Sequence, residues 1–307
     1  MRKQATIKNP FELIGSEPFG GNIVRARFSP AEPDTGIVFE TFDGEIEAKL
    51  KYASEYKCSV LLRNGNAGVL HPEHLLATLL AYGVDNLRID LERDPSFSFR
   101  ILEILGMTTD LAVVPNFDGK TYGLCEKLDD NIEEQDRPKK LLTLDRKVGV
   151  LEEDKLTFEP WRGRGLYIEA TTDYPILGEQ TLGINVDAET YKREIARSRP
   201  YSKHIVNVPL RILSMGAAIA NPSFGIGHGF DPEENVMFPV KSEEELHKAR
   251  EIYPIGDEPA RHTIMDRLGA ITLLHGSLDG VKVSVKYSGH ANDVEMLRRV
   301  TPYLNGR

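Results

Sequence analysis

Cysteine is nearly missing from this chain. Cys58 and Cys125 are the only two in 307 residues, too few for a disulfide framework or a four-thiolate metal site. They read as two reduced thiols in an intracellular protein. A basic excess is missing too: 38 Lys and Arg stand against 47 Asp and Glu, a formal net charge of −9. That argues against a nucleic-acid partner, because phosphate recognition needs clustered positive charge. No long hydrophobic run occurs either. The longest apolar stretch, around residues 75–82, is far below the ~20 residues of a membrane-spanning helix. Residues 1–6 lead into no apolar signal segment, so a cytoplasmic protein is expected, with peripheral membrane contact left open. Walker A, Gly-x-Gly-x-x-Gly and Gly-x-Ser-x-Gly patterns are absent as well.

What is present is a globular composition, 40% hydrophobic and 28% charged, at a length that suggests about two domains. Residues 22–28 alternate apolar and polar, residues 36–41 do so more loosely, and residues 56–62 form a third strand candidate closed by the turn signal Asn64-Gly65-Asn66. A helix follows with Pro72 in its first turn, an apolar stripe of Leu75, Leu76, Leu79 and Leu80, and Gly83 as its stop. Strand 84–91 and helix 96–105 complete this half. The polar segment 129–140 reads as a linker. Strands are then expected at 141–151, 156–159, 166–172 and 181–186, with Asp187 capping a helix to about residue 197. Ser242-Glu243-Glu244-Glu245 matches a capping box. A long helix spans 258–275 before Gly276, strand 281–287 follows, and His290 or Ala291 opens a last helix. Each half thus runs strands first and two helices after, which argues an α+β fold with antiparallel-rich sheets. The division expected is residues 1–136 and 137–307.

Four of the eight histidines fall in three short segments: His71-Pro72-Glu73-His74, His262-Thr263-Ile264-Met265-Asp266 and Ser288-Gly289-His290. His262 and Asp266 lie one helical turn apart on one face, where imidazole and carboxylate can share an ion or simply a surface hydrogen bond. His74 follows Glu73, so the two side chains diverge by about 100° around the helix; one can ligate while the other handles a proton. His71 is an alternative ligand, or a cap or turn residue. Taken together, His74, His262 and Asp266 make a His₂Asp set with an open fourth position, the pattern of a catalytic zinc site. Zinc there would bring bound water to a pKa near 7 and polarise a carbonyl. Glu73 would then serve as general base, and His290 would stabilise the oxyanion and protonate the leaving nitrogen. Those roles add up to amide hydrolysis. Gly225-Ile226-Gly227-His228-Gly229 reads as a flexible loop or an anion nest.

The anchors Pro72-Glu73-His74-Leu75, Gly83-Val84-Asp85-Asn86, Arg261-His262-x-x-Met265-Asp266-x-x-Gly269 and Ser288-Gly289-His290 occur in that order. With Pro30-Ala31-x-x-Asp34-Thr35-Gly36-Ile37 before them and Ile195-Ala196-Arg197-Ser198-Arg199 between, they resemble the zinc-dependent UDP-3-O-acyl-N-acetylglucosamine deacetylase family of lipid A biosynthesis from about residue 20 to 300. The resemblance implies two similar α+β domains, their paired helices sandwiched between the two sheets. It also implies Zn²⁺ on His74, His262 and Asp266, Glu73 as base, His290 as acid or oxyanion partner, and a small-molecule substrate such as a UDP-linked acyl amino sugar.

Several positions depart from the family. Thr263 stands where the family usually carries a substrate-holding lysine, Pro200 where it has a threonine, and Ala270 where it has the acid that orients the catalytic histidine. Gly15-Ser16-Glu17-Pro18 replaces the family's Gly-Leu-His signature, and Asp94-Pro95-Ser96 its Asp-Gly-Ser motif. The metal and proton positions therefore match while the substrate-holding ones differ, and no substrate-binding residue is assigned. Two further readings stand beside the deacetylase: a divergent member acting on another small N-acyl compound, and a non-catalytic metal-binding or regulatory relative.

Overall fold

The computed structural model describes residues 2–16, 23–56, 59–94, 111–115, 121–149, 155–174, 178–199, 257–287 and 293–306. Five strands, Phe11–Ser16, Ile23–Pro30, Ile37–Thr41, Gly44–Glu47 and Leu87–Asp94, form one sheet whose fifth strand lies between the second and third. Val148–Gly149, Leu156–Pro160, Leu166–Tyr174, Gly178–Asn185 and Val281–Lys286 form a second sheet with the same arrangement. In each sheet the third and fifth strands run parallel, and every other pairing is antiparallel. The two sheets thus repeat one topology, first-second-fifth-third-fourth, as expected for an antiparallel-rich α+β protein of two similar units. A parallel pair needs a crossover between its strands, and each crossover here carries a helix.

The helices among the described residues are α1 (Glu73–Ala81), α2 (Tyr122–Leu128), α3 (Ala188–Glu194), α4 (Glu258–Thr272) and α5 (Asp293–Val300). α1 sits in the crossover of the first sheet and α4 in that of the second, and the two helices pack against each other. One apolar cluster runs from Phe28, Phe39 and Ile89 of the first sheet, through Leu75, Leu76 and Leu79 of α1 and Ile264, Leu268 and Ile271 of α4, to Ile168 and Val283 of the second. Burying each of those leucines contributes about 1.5–3 kcal/mol. The alternation read in 22–28 holds, with Val24, Ala26 and Phe28 buried and Arg25 and Arg27 exposed.

Several element boundaries move. The span 56–62 divides into Ala53–Tyr56 and Ser59–Asn64, two arms of a hairpin. Ser59–Asn64 pairs in turn with Ala67–Leu70 through the turn at Gly65, whose φ is +62°. Within the span 141–151, the described residues form two strands, Leu141–Thr143 and Val148–Gly149. Pro72 occupies the N-cap of α1 and Gly83 follows its C-cap at φ +70°. Asp187 caps α3 as read, accepting from the Thr190 N–H at 2.8 Å, but that helix ends at Glu194. α4 stops at Thr272, and α5 is described over Asp293–Val300, the start read at His290 or Ala291 lying outside the described residues. The largest correction concerns the presumed linker, because Ile132–Pro138 is a strand paired antiparallel with Lys3–Ile7. Its side chains are mostly exposed, so no apolar alternation marks it; the buried strand at the N-terminus holds it in place. Among the described residues, no helix is long and apolar enough to cross a membrane.

Candidate metal centre

The site forms where the start of α1 meets the middle of α4. The helices approach so closely there that a Cβ added to Gly269 would lie 2.0 Å from the Glu73 carbonyl oxygen. Glycine is required for that contact, and the contact brings His74 of α1 against His262 and Asp266 of α4. The Asp266 Oδ1 lies 3.2 Å from His74 Nε2 and 3.4 Å from His262 Nε2. The two imidazoles meet edge to face, their centroids 4.8 Å apart and their planes at 81°. His262 and Asp266 are 3% and 4% exposed, so the pair is not a surface hydrogen bond.

This set fits a divalent ion. Around a tetrahedral ion held at about 2.0–2.1 Å by each donor, the donor atoms stand roughly 3.3 Å apart. The two separations, 3.2 and 3.4 Å, bracket that edge, and one ligand atom from each residue falls within 4.8 Å of the others. Two imidazoles and a carboxylate are borderline-hard donors, the mixture that first-row divalent ions take in sites with an open position. The three residues can therefore hold a metal ion.

Glu73 is the first residue of α1 and is 1% exposed. The adjacent hairpin grips its carboxylate. The Ser59 hydroxyl donates to Oε1 at 2.9 Å, the Val60 N–H donates to Oε2 at 3.3 Å, and His71 Nδ1 lies 2.9 Å from Oε1. His71 leaves the strand Ala67–Leu70 with φ at +65°. Burial pushes its imidazole pKa down, but the charge and hydrogen bond of Glu73, helped by Asp266, outweigh that and raise it overall. Its ring stands edge-on to His74 at 4.7 Å, yet it is not among the residues that converge as a ligand group. The sequence reading thus missed Ser59, the Val60 N–H and the hold of His71 on Glu73. No spacing rule connects a hairpin strand to a helix start 13 or 14 residues on.

Among the positions that depart from the resemblance, Thr263 turns its hydroxyl back onto the Pro259 carbonyl at 2.9 Å, and Ala270 is fully buried. His290, Pro200, Cys58 and the segments 96–105, 225–229 and 242–245 lie outside the described residues. Cys125 is buried in α2.

The sequence pattern of the UDP-3-O-acyl N-acetylglycosamine deacetylase family, LpxC, matches residues 4–302. The chain is 30% identical over 295 residues to the UDP-3-O-acyl-N-acetylglucosamine deacetylase of Helicobacter hepaticus, covering 94% of this chain and 87% of that one. It is 29% identical over 309 residues to the protein of the same name from Pseudomonas entomophila, covering 98% and 90%. The match takes in both sheets, both crossover helices and all three converging side chains, and the chain belongs to the UDP-3-O-acyl N-acetylglycosamine deacetylase family.

Proposed function

We propose that this chain is a zinc-dependent deacetylase that hydrolyses the N-acetyl group of a UDP-linked 3-O-acyl-N-acetylglucosamine in the cytoplasm, within lipid A biosynthesis. The observation that carries the reading is the convergence of His74, His262 and Asp266, one residue from the first half and two from the second, at separations that suit a tetrahedral ion. On this reading residues 1–136 and 137–307 are the two domains. The relatives bearing that enzyme's name are matched over nearly their full length, which supports the same substrate class.

When bound, zinc supplies Lewis acidity toward the amide carbonyl and acidifies a water in the open position. His74, His262 and Asp266 would hold the ion. Glu73 accepts a proton from the attacking water at its carboxylate, which the hairpin donors fix in place. His290 donates a proton to the departing amine nitrogen. The buried setting of Asp266 and His262 keeps bulk water from competing with these contacts.

The test joins metal analysis to acetate release from the UDP-linked substrate. The purified wild type should carry about one zinc per chain. His262→Ala should lose the metal, and Glu73→Ala should keep the metal yet lose turnover. Turnover without metal would overturn the site, and full turnover in Glu73→Ala would overturn the base. Acetate release from another N-acetyl compound, with none from the UDP-linked substrate in either wild type or Thr263→Lys, would overturn the substrate while leaving the chemistry.

A further inference from the structure

We infer that His71 is a positioning residue for Glu73: its Nδ1–H fixes the carboxylate of the base, and it does not serve as a fourth ligand of the ion. The inference rests on the reading of Glu73 as general base. An ionised carboxylate only accepts hydrogen bonds, so the 2.9 Å contact between His71 Nδ1 and Glu73 Oε1 places the proton on Nδ1. Ser59 approaches the same two atoms, 2.9 Å from Oε1 and 3.2 Å from Nδ1. Its single proton goes to the carboxylate, because Nδ1 already carries one. Oε1 therefore takes two donors on its hairpin side and Oε2 takes the Val60 N–H, which holds the group to one orientation.

The backbone supports a dedicated role. His71 sits at φ +65°, a left-handed conformation that few residues other than glycine, asparagine, aspartate and histidine adopt. It also precedes Pro72, whose ring normally drives the preceding residue toward extended backbone. The His71 N–H donates to the Val60 carbonyl at 3.1 Å, so one hairpin strand both fixes the turn and supplies two donors to Glu73.

Three variants separate the donor from the backbone. His71→Gly suits the positive φ and removes the donor. His71→Asn tolerates the same φ and offers an amide N–H near the position of Nδ1. Ser59→Ala removes the other donor to Oε1. With the UDP-linked substrate, His71→Gly is expected to lower kcat about 10- to 100-fold, the range for groups that orient a reacting side chain. KM, zinc content and melting temperature should stay near wild type. His71→Asn should return kcat to within about threefold of wild type, and Ser59→Ala should fall between the two. A His71→Gly enzyme with wild-type kcat, beside an inactive Glu73→Ala, would overturn the positioning role and leave the base assignment standing. Glu73→Ala with full turnover would instead defeat the base reading itself. An Asn variant as slow as the Gly variant would also overturn the inference, as would zinc loss in His71→Gly, which would make His71 part of the ligand set.

Discussion

Helices α1 and α4 occupy the same place in two sheets of the same strand order, yet they are secured in opposite ways. α4 is tied down by ion pairs. Arg199 grips Glu258 through Nε and Nη2 at 2.7 and 2.8 Å, Arg261 binds Asp257 and Glu194, and Arg267 pairs with Asp293 of α5. In α1 the one first-turn carboxylate, Glu73, is held by a hydroxyl, an amide and an imidazole. A guanidinium on Glu73 would neutralise the group proposed to take a proton. On the proposed roles, fixed ion pairs surround the helix that would supply two metal ligands, whereas a hydroxyl, an amide and an imidazole orient the carboxylate that would take the proton.

Removing one anchor at a time sharpens that contrast. Glu258→Ala takes the carboxylate from a guanidinium whose side chain is 4% exposed, and a broken buried pair costs about 3–5 kcal/mol. Denaturant unfolding measures it, and a loss near zero would show that ion pairs do not secure α4. Gly269→Ala strikes the crossing both helices share, where the new Cβ meets the Glu73 carbonyl. Overpacking there should cost about 1–3 kcal/mol, and forcing the helices apart should weaken zinc binding in a competition titration. An alanine variant with wild-type stability and affinity would show that the helices can shift without consequence. Thr272→Val removes a hydroxyl whose one proton is shared between the Leu76 carbonyl of α1 and the Leu268 carbonyl of its own helix, each at 3.0 Å. The expected loss is about 1 kcal/mol, seen as a small fall in melting temperature with zinc content unchanged.

The same contrast explains what could be read from the sequence. His262 and Asp266 were legible because a helix fixes where residues four apart point, and Asp187 because an N-cap is a local matter. The repeated strand order was legible in outline, since apolar alternation and turn residues recur in both halves. The hold on Glu73 was not, because it depends on a hairpin folding back over the start of α1. The strand Ile132–Pro138 escaped for a related reason: its partner, Lys3–Ile7, lies about 130 residues away, and exposed side chains leave no periodic mark. The meeting of His74 with the α4 pair was reached through chemistry and family resemblance; the spacing by itself does not contain it.

Because the three converging side chains come from both halves, an ion bound there would also be a cross-link. Its binding free energy is added to the adhesion of one sheet-and-helix unit to the other, by mass action. With free metal at 100 times the dissociation constant, that is about 2.7 kcal/mol of added stability. Scarcity of the metal would therefore loosen the seam on which the geometry of the site depends.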